Sequence, residues 1–151
     1  MNERFLIHVR FKTSHWLPDE PGMKETETYE GKGLFRSFQT EDKISFKALL
    51  GAPEEPAEFA FEWIIPKDGS ERVIFRQSGN SFVSATFENN RSEKTVYRIP
   101  PYEMDVTMIT RSLKLNNGTI EVCYDLKMPD ETVTRHQMVL SYTRKESYFF
   151  F

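Results

Sequence analysis

The sequence has a single cysteine, Cys123, among 151 residues, so no internal disulfide can form. That usage suits a reducing compartment. Seven glycines and eight prolines are too few for a low-complexity chain. Charge of one sign is also missing: 20 basic residues face 23 acidic ones, for a net charge of -3. Lys and Arg are scattered singly among acids, whereas nucleic-acid binders gather them in a patch or stripe. A nucleic-acid partner is therefore disfavoured. No apolar run approaches the ~20 residues that a membrane-spanning helix needs. The opening stretch "MNERFLIHVRFK" carries Glu3, Arg4, His8 and Arg10 where a signal peptide would place an apolar block. The expectation is a cytoplasmic protein with no membrane partner.

Recognisable chemistry is sparse as well. There is no C-x-x-C or H-x-x-x-H spacing, and His8, His15 and His136 lie far apart, so no metal site is expected. Gly31-Lys32-Gly33 lacks the remainder of any phosphate-binding loop, and no cofactor is implied.

What the chain does have is aromatic bulk, with 13 Phe, 6 Tyr and 2 Trp, and an alternation of apolar and polar residues. Its length is that of one domain. No linker or repeat interrupts it, so residues 1–151 read as one unit. Alternation over Phe5, Ile7, Val9 and Phe11 predicts a strand at about residues 4–13. "SHWLPDEPGMK" then reads as a loop. "ETETYEGKGLFRSF" reads as a strand bent at Gly31 and Gly33. Residues 41–50 fit either a strand or a short helix stopped by Gly51, and the neighbouring strands favour the former. "FAFEWIIP" puts Phe59, Phe61, Trp63 and Ile65 on one face. Further strands follow in "RVIFRQ", "SFVSATFE" and "KTVYRI", after which Pro100 and Pro101 interrupt pairing.

Three long runs complete the chain: "YEMDVTMITRSLKL", "TIEVCYDLKM" and "TVTRHQMVLSY", joined by turns short enough for hairpins. In the first, Met104, Val106 and Met108 share one parity while Ile109, Leu113 and Leu115 share the other. A one-residue bulge near 108–110 reconciles them. These patterns predict an all-β, antiparallel meander of about 8–10 strands with at most one short helix. Strands as long as 103–115, on the order of 40 Å at roughly 3.3 Å per residue, suit a barrel better than a small sandwich.

The segment running from "VIFRQSGN" through "IEVCYDLKM" to "RHQMVLSY" resembles the C-terminal half of the YwiB-like family. The shared features are the Arg76–Gly79 turn, the Tyr97-to-Pro101 approach to a long strand, and the two quoted runs. The N-terminal half corresponds only in strand order. The chain departs from the family in its acidic 52–58 loop and its terminal "ESYFFF". The resemblance implies a small bacterial protein with a lipocalin-like (calycin) β-barrel, and it implies no activity.

Candidate functional residues follow from parity. His136 falls on the apolar face with Met138, Leu140 and Tyr142, and it suits a place beside Tyr124 or Tyr142, sharing a hydrogen bond at one barrel end. Histidine catalysis needs a nucleophile or an orienting carboxylate in reach, and Cys123 lies on the opposite parity from Tyr124. An enzyme is thus the least supported class. The first function expectation is a barrel interior holding a small, partly apolar ligand. Tyr97, Tyr124, His136 and Tyr142 supply its polar contacts, and Val122, Leu126 and Met138 its wall. The alternative is a protein-interaction module without a ligand. Its surface is either the acidic loop, with Glu54, Glu55, Glu58 and Glu62 as the acidic cluster, or the aromatic tail at Tyr148–Phe151. The tail suits a homodimer contact as well as packing within the chain. Arg76, beside a turn, either meets an anionic group or is a solvated outward residue like Arg72.

Overall fold

The computed structural model describes residues 3–51 and 54–145, and Ile99 by its backbone alone. The chain forms ten antiparallel strands: β1 (Glu3–Trp16), β2 (Glu25–Ser37), β3 (Glu41–Leu50), β4 (Ala57–Pro66), β5 (Arg72–Gly79), β6 (Val83–Glu88), β7 (Ser92–Ile99), β8 (Tyr102–Asn116), β9 (Thr119–Lys127) and β10 (Val133–Arg144). Residues 41–50 are strand, because Ile44, Phe46 and Ala48 each bury against the interior at a period of two. Helical structure among the described residues is limited to a single 3-10 turn, Pro21–Met23. The predicted meander barrel is thus the fold.

Each strand pairs with its neighbour in sequence except at one place, and β10 pairs with β1 to bring the two ends of the meander together. The exception is the seam between β6 and β7. Phe82 and Arg98 form an isolated bridge there, with their two amide–carbonyl bonds at 2.8 and 3.0 Å. Side chains do the rest: Thr95 Oγ1 donates to the Ser84 carbonyl at 3.0 Å, and Glu93 Oε1 accepts from the Thr86 amide at 2.9 Å. The barrel is therefore nearly closed, with a stapled seam in place of a tenth ladder.

The predicted bulge lies in β8 between Thr110 and Ser112, with Arg111 as the extra residue. It lets Val106, Met108 and Thr110 face inward before it and Leu113 after it. Ile109, grouped by parity with Leu113 and Leu115, instead sits opposite the outward Asp125. A bulge leaves backbone groups without ladder partners. On the other edge of β8, past the point where β7 ends opposite Ile109, the Asn89 side chain takes the place of a ladder partner, accepting from the Leu113 amide at 2.8 Å and donating to its carbonyl at 3.3 Å.

Two expected boundaries are corrected. β1 continues through Ser14, His15 and Trp16, which had read as loop, because β2 and β10 pair with it along that length. Ser14 is buried there, its hydroxyl 3.0 Å from that of Thr26. The expected bend in β2 takes the form of a divergence: β2 stays paired to β1 throughout but meets β3 only at Leu34–Ser37. Gly33 permits the close approach, since a Cβ there would lie 2.7 Å from Val9 Cγ2 and 3.0 Å from the Ser45 carbonyl. Pro100 and Pro101 form the tight turn that sets Ile99 opposite Tyr102.

The interior divides along the barrel axis. At the base, where the β8–β9 turn lies, Ile7, Ile44, Trp63, Val73, Phe87, Ile120 and Leu140 are fully enclosed. From Phe87 at the base a chain of rings leads toward the other end, through Phe75, Phe61 and Phe46 on one side and Tyr124 on the other, at centroid spacings of 5.0–5.9 Å. Such tilted and offset pairs add to the apolar burial itself. The acidic loop is described only in part, since residues 52–53 lie outside the described set, as does the aromatic tail at 146–151. No helix among the described residues is long and apolar enough to cross a membrane.

Candidate functional site

The ends of β1, β3, β5, β7 and β9 and the starts of β2, β4, β6, β8 and β10 converge on one mouth of the barrel. A cavity of about 280 Å³ lies just inside it. Its wall is apolar, formed by Phe11, Phe59, Phe61, Phe75, Met108 and Leu126. Thr13, Glu27, Gln77, Tyr97, Tyr124 and His136 bring polar atoms to the same space. Five of the seven residues chosen from sequence line it: Tyr97, Tyr124, Leu126, His136 and Met138. The other two lie elsewhere. Val122 is fully enclosed beneath the cavity, and Tyr142 stands toward the base, its ring 6.0 Å from that of Phe35.

His136 occupies the inward register of β10, opposite Tyr124 on β9 and His15 on β1. It does not share a hydrogen bond with either tyrosine, as parity had suggested. Its ring lies flat on that of Tyr124, at 5.0 Å and 9°, and its Nε2 is 2.8 Å from Thr134 Oγ1. The His15 ring stacks on its other side at 5.9 Å, and His15 Nε2 contacts Glu25 at 3.0 Å. Burial, reinforced by the neighbouring His15, drops the His136 pKa to about 4. At neutral pH the imidazole is therefore uncharged. Burial also pushes the Tyr124 phenol well above its ordinary value, so it stays protonated.

His15 and Gln77 were missed from sequence, although parity placed both inside. His15 continues the file of Phe11 and Thr13, and Gln77 that of Val73 and Phe75. Gln77 Nε2 donates to Ser81 Oγ at 2.5 Å, which ties the β5–β6 turn to the wall. That turn depends on Gly79, at φ +122°, where a Cβ would meet the Glu58 carbonyl at 2.3 Å.

The other candidates stand outside the barrel. Cys123 is outward and half-buried, and burial raises its thiol pKa, the opposite of an activated nucleophile. Beside it Asp125 is buried under two arginines: Arg111 Nε donates to it at 2.7 Å and Arg135 Nε at 2.8 Å. Burial alone would raise this carboxyl, but the hydrogen bonds from Arg135 and Arg111 outweigh it and hold the pKa low. The cluster clamps β8, β9 and β10 together on their outer face. Arg76 is outward and contacts Glu62 at 3.3 Å, as Arg36 does at 3.7 Å, so Glu62 is an ion-paired residue of the sheet surface. Among the described residues no three His, Cys, Asp or Glu side chains converge as a metal set.

A second, larger hollow of about 700 Å³ runs across the outer face of β3 to β7 at the stapled seam. Exposed Phe82 and Val96 line it together with Lys47, Glu62, Arg76 and Arg98.

The model of a family described as a domain of unknown function (DUF1934) matches residues 36–140. The chain belongs to this family. Its fold is similar to that in the crystal structure of the ywiB protein from Bacillus subtilis, with a TM-score of 0.69 and 14% identity. The likeness covers 95% of this chain and 94% of that one, and at that identity it shows the fold alone. No curated protein matches the chain. The YwiB-like resemblance thus holds over the N-terminal strands as well, where the sequence had offered only strand order. Besides the mouth cavity and the outer hollow, a third hollow of about 500 Å³ lies beside β7, β8 and the β9–β10 turn, lined by Val96, Val106 and Met128 together with Lys94, Asp105, Lys127 and Glu131.

Proposed function

We propose that this DUF1934 protein binds a small, partly apolar molecule in the mouth of its barrel. The observation that carries the reading is the cavity itself, about 280 Å³ of space inside a chain whose aromatic bulk fills the rest of the interior. That volume is near the lower end of the ~300–1,000 Å³ typical of ligand sites. Unfilled space beside buried rings forfeits dispersion contacts, and a guest would restore them. The few polar groups at one side, Tyr97, Tyr124 and His136, are the kind that fix a guest's orientation. No nucleophile paired with a base is among these lining residues, which favours binding over catalysis.

The second reading is a protein-contact role, favoured by the outer hollow with its exposed Phe82 and Val96. Native mass spectrometry after gentle purification separates the two. A small molecule retained by the folded monomer, and lost on unfolding, supports the cavity reading. A clean apoprotein that also takes up no added aromatic compound contradicts it, and a stable dimer without a guest favours the second.

A further inference from the structure

The outer hollow and the mouth cavity differ in the sign of their charge. Around the outer hollow Lys47, Arg76 and Arg98 stand against a single carboxylate, Glu62. The mouth cavity shows the reverse. Glu27 is the charged side chain in its lining, and no Lys or Arg is among the lining residues. Glu25, two residues before it on the same inward register, adds a second carboxylate at the rim, where it contacts His15.

A buried carboxylate or sulfonate needs a cation or several donors, because an unpaired charge in apolar surroundings is strongly disfavoured. This lining offers no cation, and its donors are neutral: the hydroxyls of Thr13, Tyr97 and Tyr124, and the Gln77 amide, whose Nε2 already donates to Ser81. The one imidazole in it, His136, already contacts Thr134 through Nε2. A fatty-acid-like anion, with its head in the cavity, would face Glu27 in place of a counterion. A cation would find there the partner an anion lacks.

The shape of the wall adds a second constraint. Tyr124 and His136 lie nearly parallel in their stack, and Phe61 and Phe75, 5.9 Å apart, approach the same space from β4 and β5. Rings on both sides favour a flat guest, since aromatic pairs in offset or edge-on contact contribute beyond simple burial.

We infer that the mouth cavity selects a flat aromatic guest carrying a neutral or basic group, held with that group toward Glu27, and rejects anionic analogues. This rests on the binding role proposed above, and it names the class of ligand for that site.

A charge series on one ring frame tests it: naphthylmethylammonium, naphthylmethanol and naphthoate. The readout is the methyl shift of Met108 and Met138, which line the cavity but not the outer hollow, in protein labelled at its methionine methyls. The expected result is saturable shifts with the ammonium and the alcohol, and binding of naphthoate weaker by at least about tenfold. Glu27→Gln, at an exposed position that leaves the fold intact, should bring the ammonium down to the affinity of the alcohol and leave the alcohol unchanged. Naphthoate binding as tightly as the ammonium at these two methyls would overturn the charge selection while leaving a binding role in place. Ammonium binding indifferent to Glu27→Gln would overturn the placement. No saturable shift with any of the three would overturn the binding role itself.

Discussion

The base and the mouth of this barrel are built from the same strands and differ in what fills them. At the base Trp63, Phe87, Ile120 and Leu140 close the interior completely. At the mouth the same files continue with Thr13, Gln77, Tyr97 and His136, and about 280 Å³ stays open. A small barrel can either fill its centre with side chains or leave room for one guest; this one does the first at one end and the second at the other. Close packing and open space are thereby separated along the axis, and each end can be altered with limited effect on the other.

The largest expected contrast is in stability. Leu140→Ala at the base should cost about 2–5 kcal/mol, since the enclosed neighbours can relax only partly into the cavity created. Tyr97→Ala at the half-buried mouth should cost well below that, about 1 kcal/mol, the ordinary size for a residue outside the core. Urea unfolding of the two variants measures the difference, and equal losses would erase the distinction between the ends.

A smaller effect concerns pH. The folded-state pKa of His136, about 4, lies below its ordinary value of about 6.5. Between these values the unfolded chain binds the proton and the folded protein does not. Stability should therefore fall as pH is lowered through this window, and the histidine contribution is fully lost below about pH 4. Carboxylates held low, such as Asp125 under its arginines, act at lower pH, below their unfolded pKa. In His136→Phe, which keeps a ring against Tyr124, the decline between pH 6.5 and 4.5 in the urea midpoint should shrink. An unchanged decline would place the titrating group elsewhere.

How much of this was legible in the sequence follows from the same division. The base could be read because strict alternation at Ile7, Val9 and Phe11, or at Ile120 and Val122, needs no knowledge of partners. The mouth could be read only in part. Tyr124, Leu126, His136 and Met138 sit on long alternating runs, so their inward direction was clear. Nothing local, however, separates a residue that lines a cavity from one buried beneath it, and so Val122 and Tyr142 were grouped with them. His15 was hidden because the prolines after it make the whole stretch look like loop, while its strand character comes from pairing with β2 and β10 on both sides. Glu27 looked like one of several acids in a polar strand. Its place in the lining follows from β2 diverging from β3, which depends on packing around Gly33. The seam between β6 and β7 left no trace in the pattern at all, because side-chain staples from Thr95 and Glu93 take the place of ladder bonds.

The central claim, one packed end and one hollow end, is tested most directly by xenon, which enters empty apolar space in proteins. In crystals pressurised with xenon, density should appear within reach of Phe61, Tyr124 and Met138 and nowhere among Trp63, Ile120 and Leu140. A mouth without xenon, its space taken up by repacked side chains, or xenon lodged at the base instead, would contradict the account.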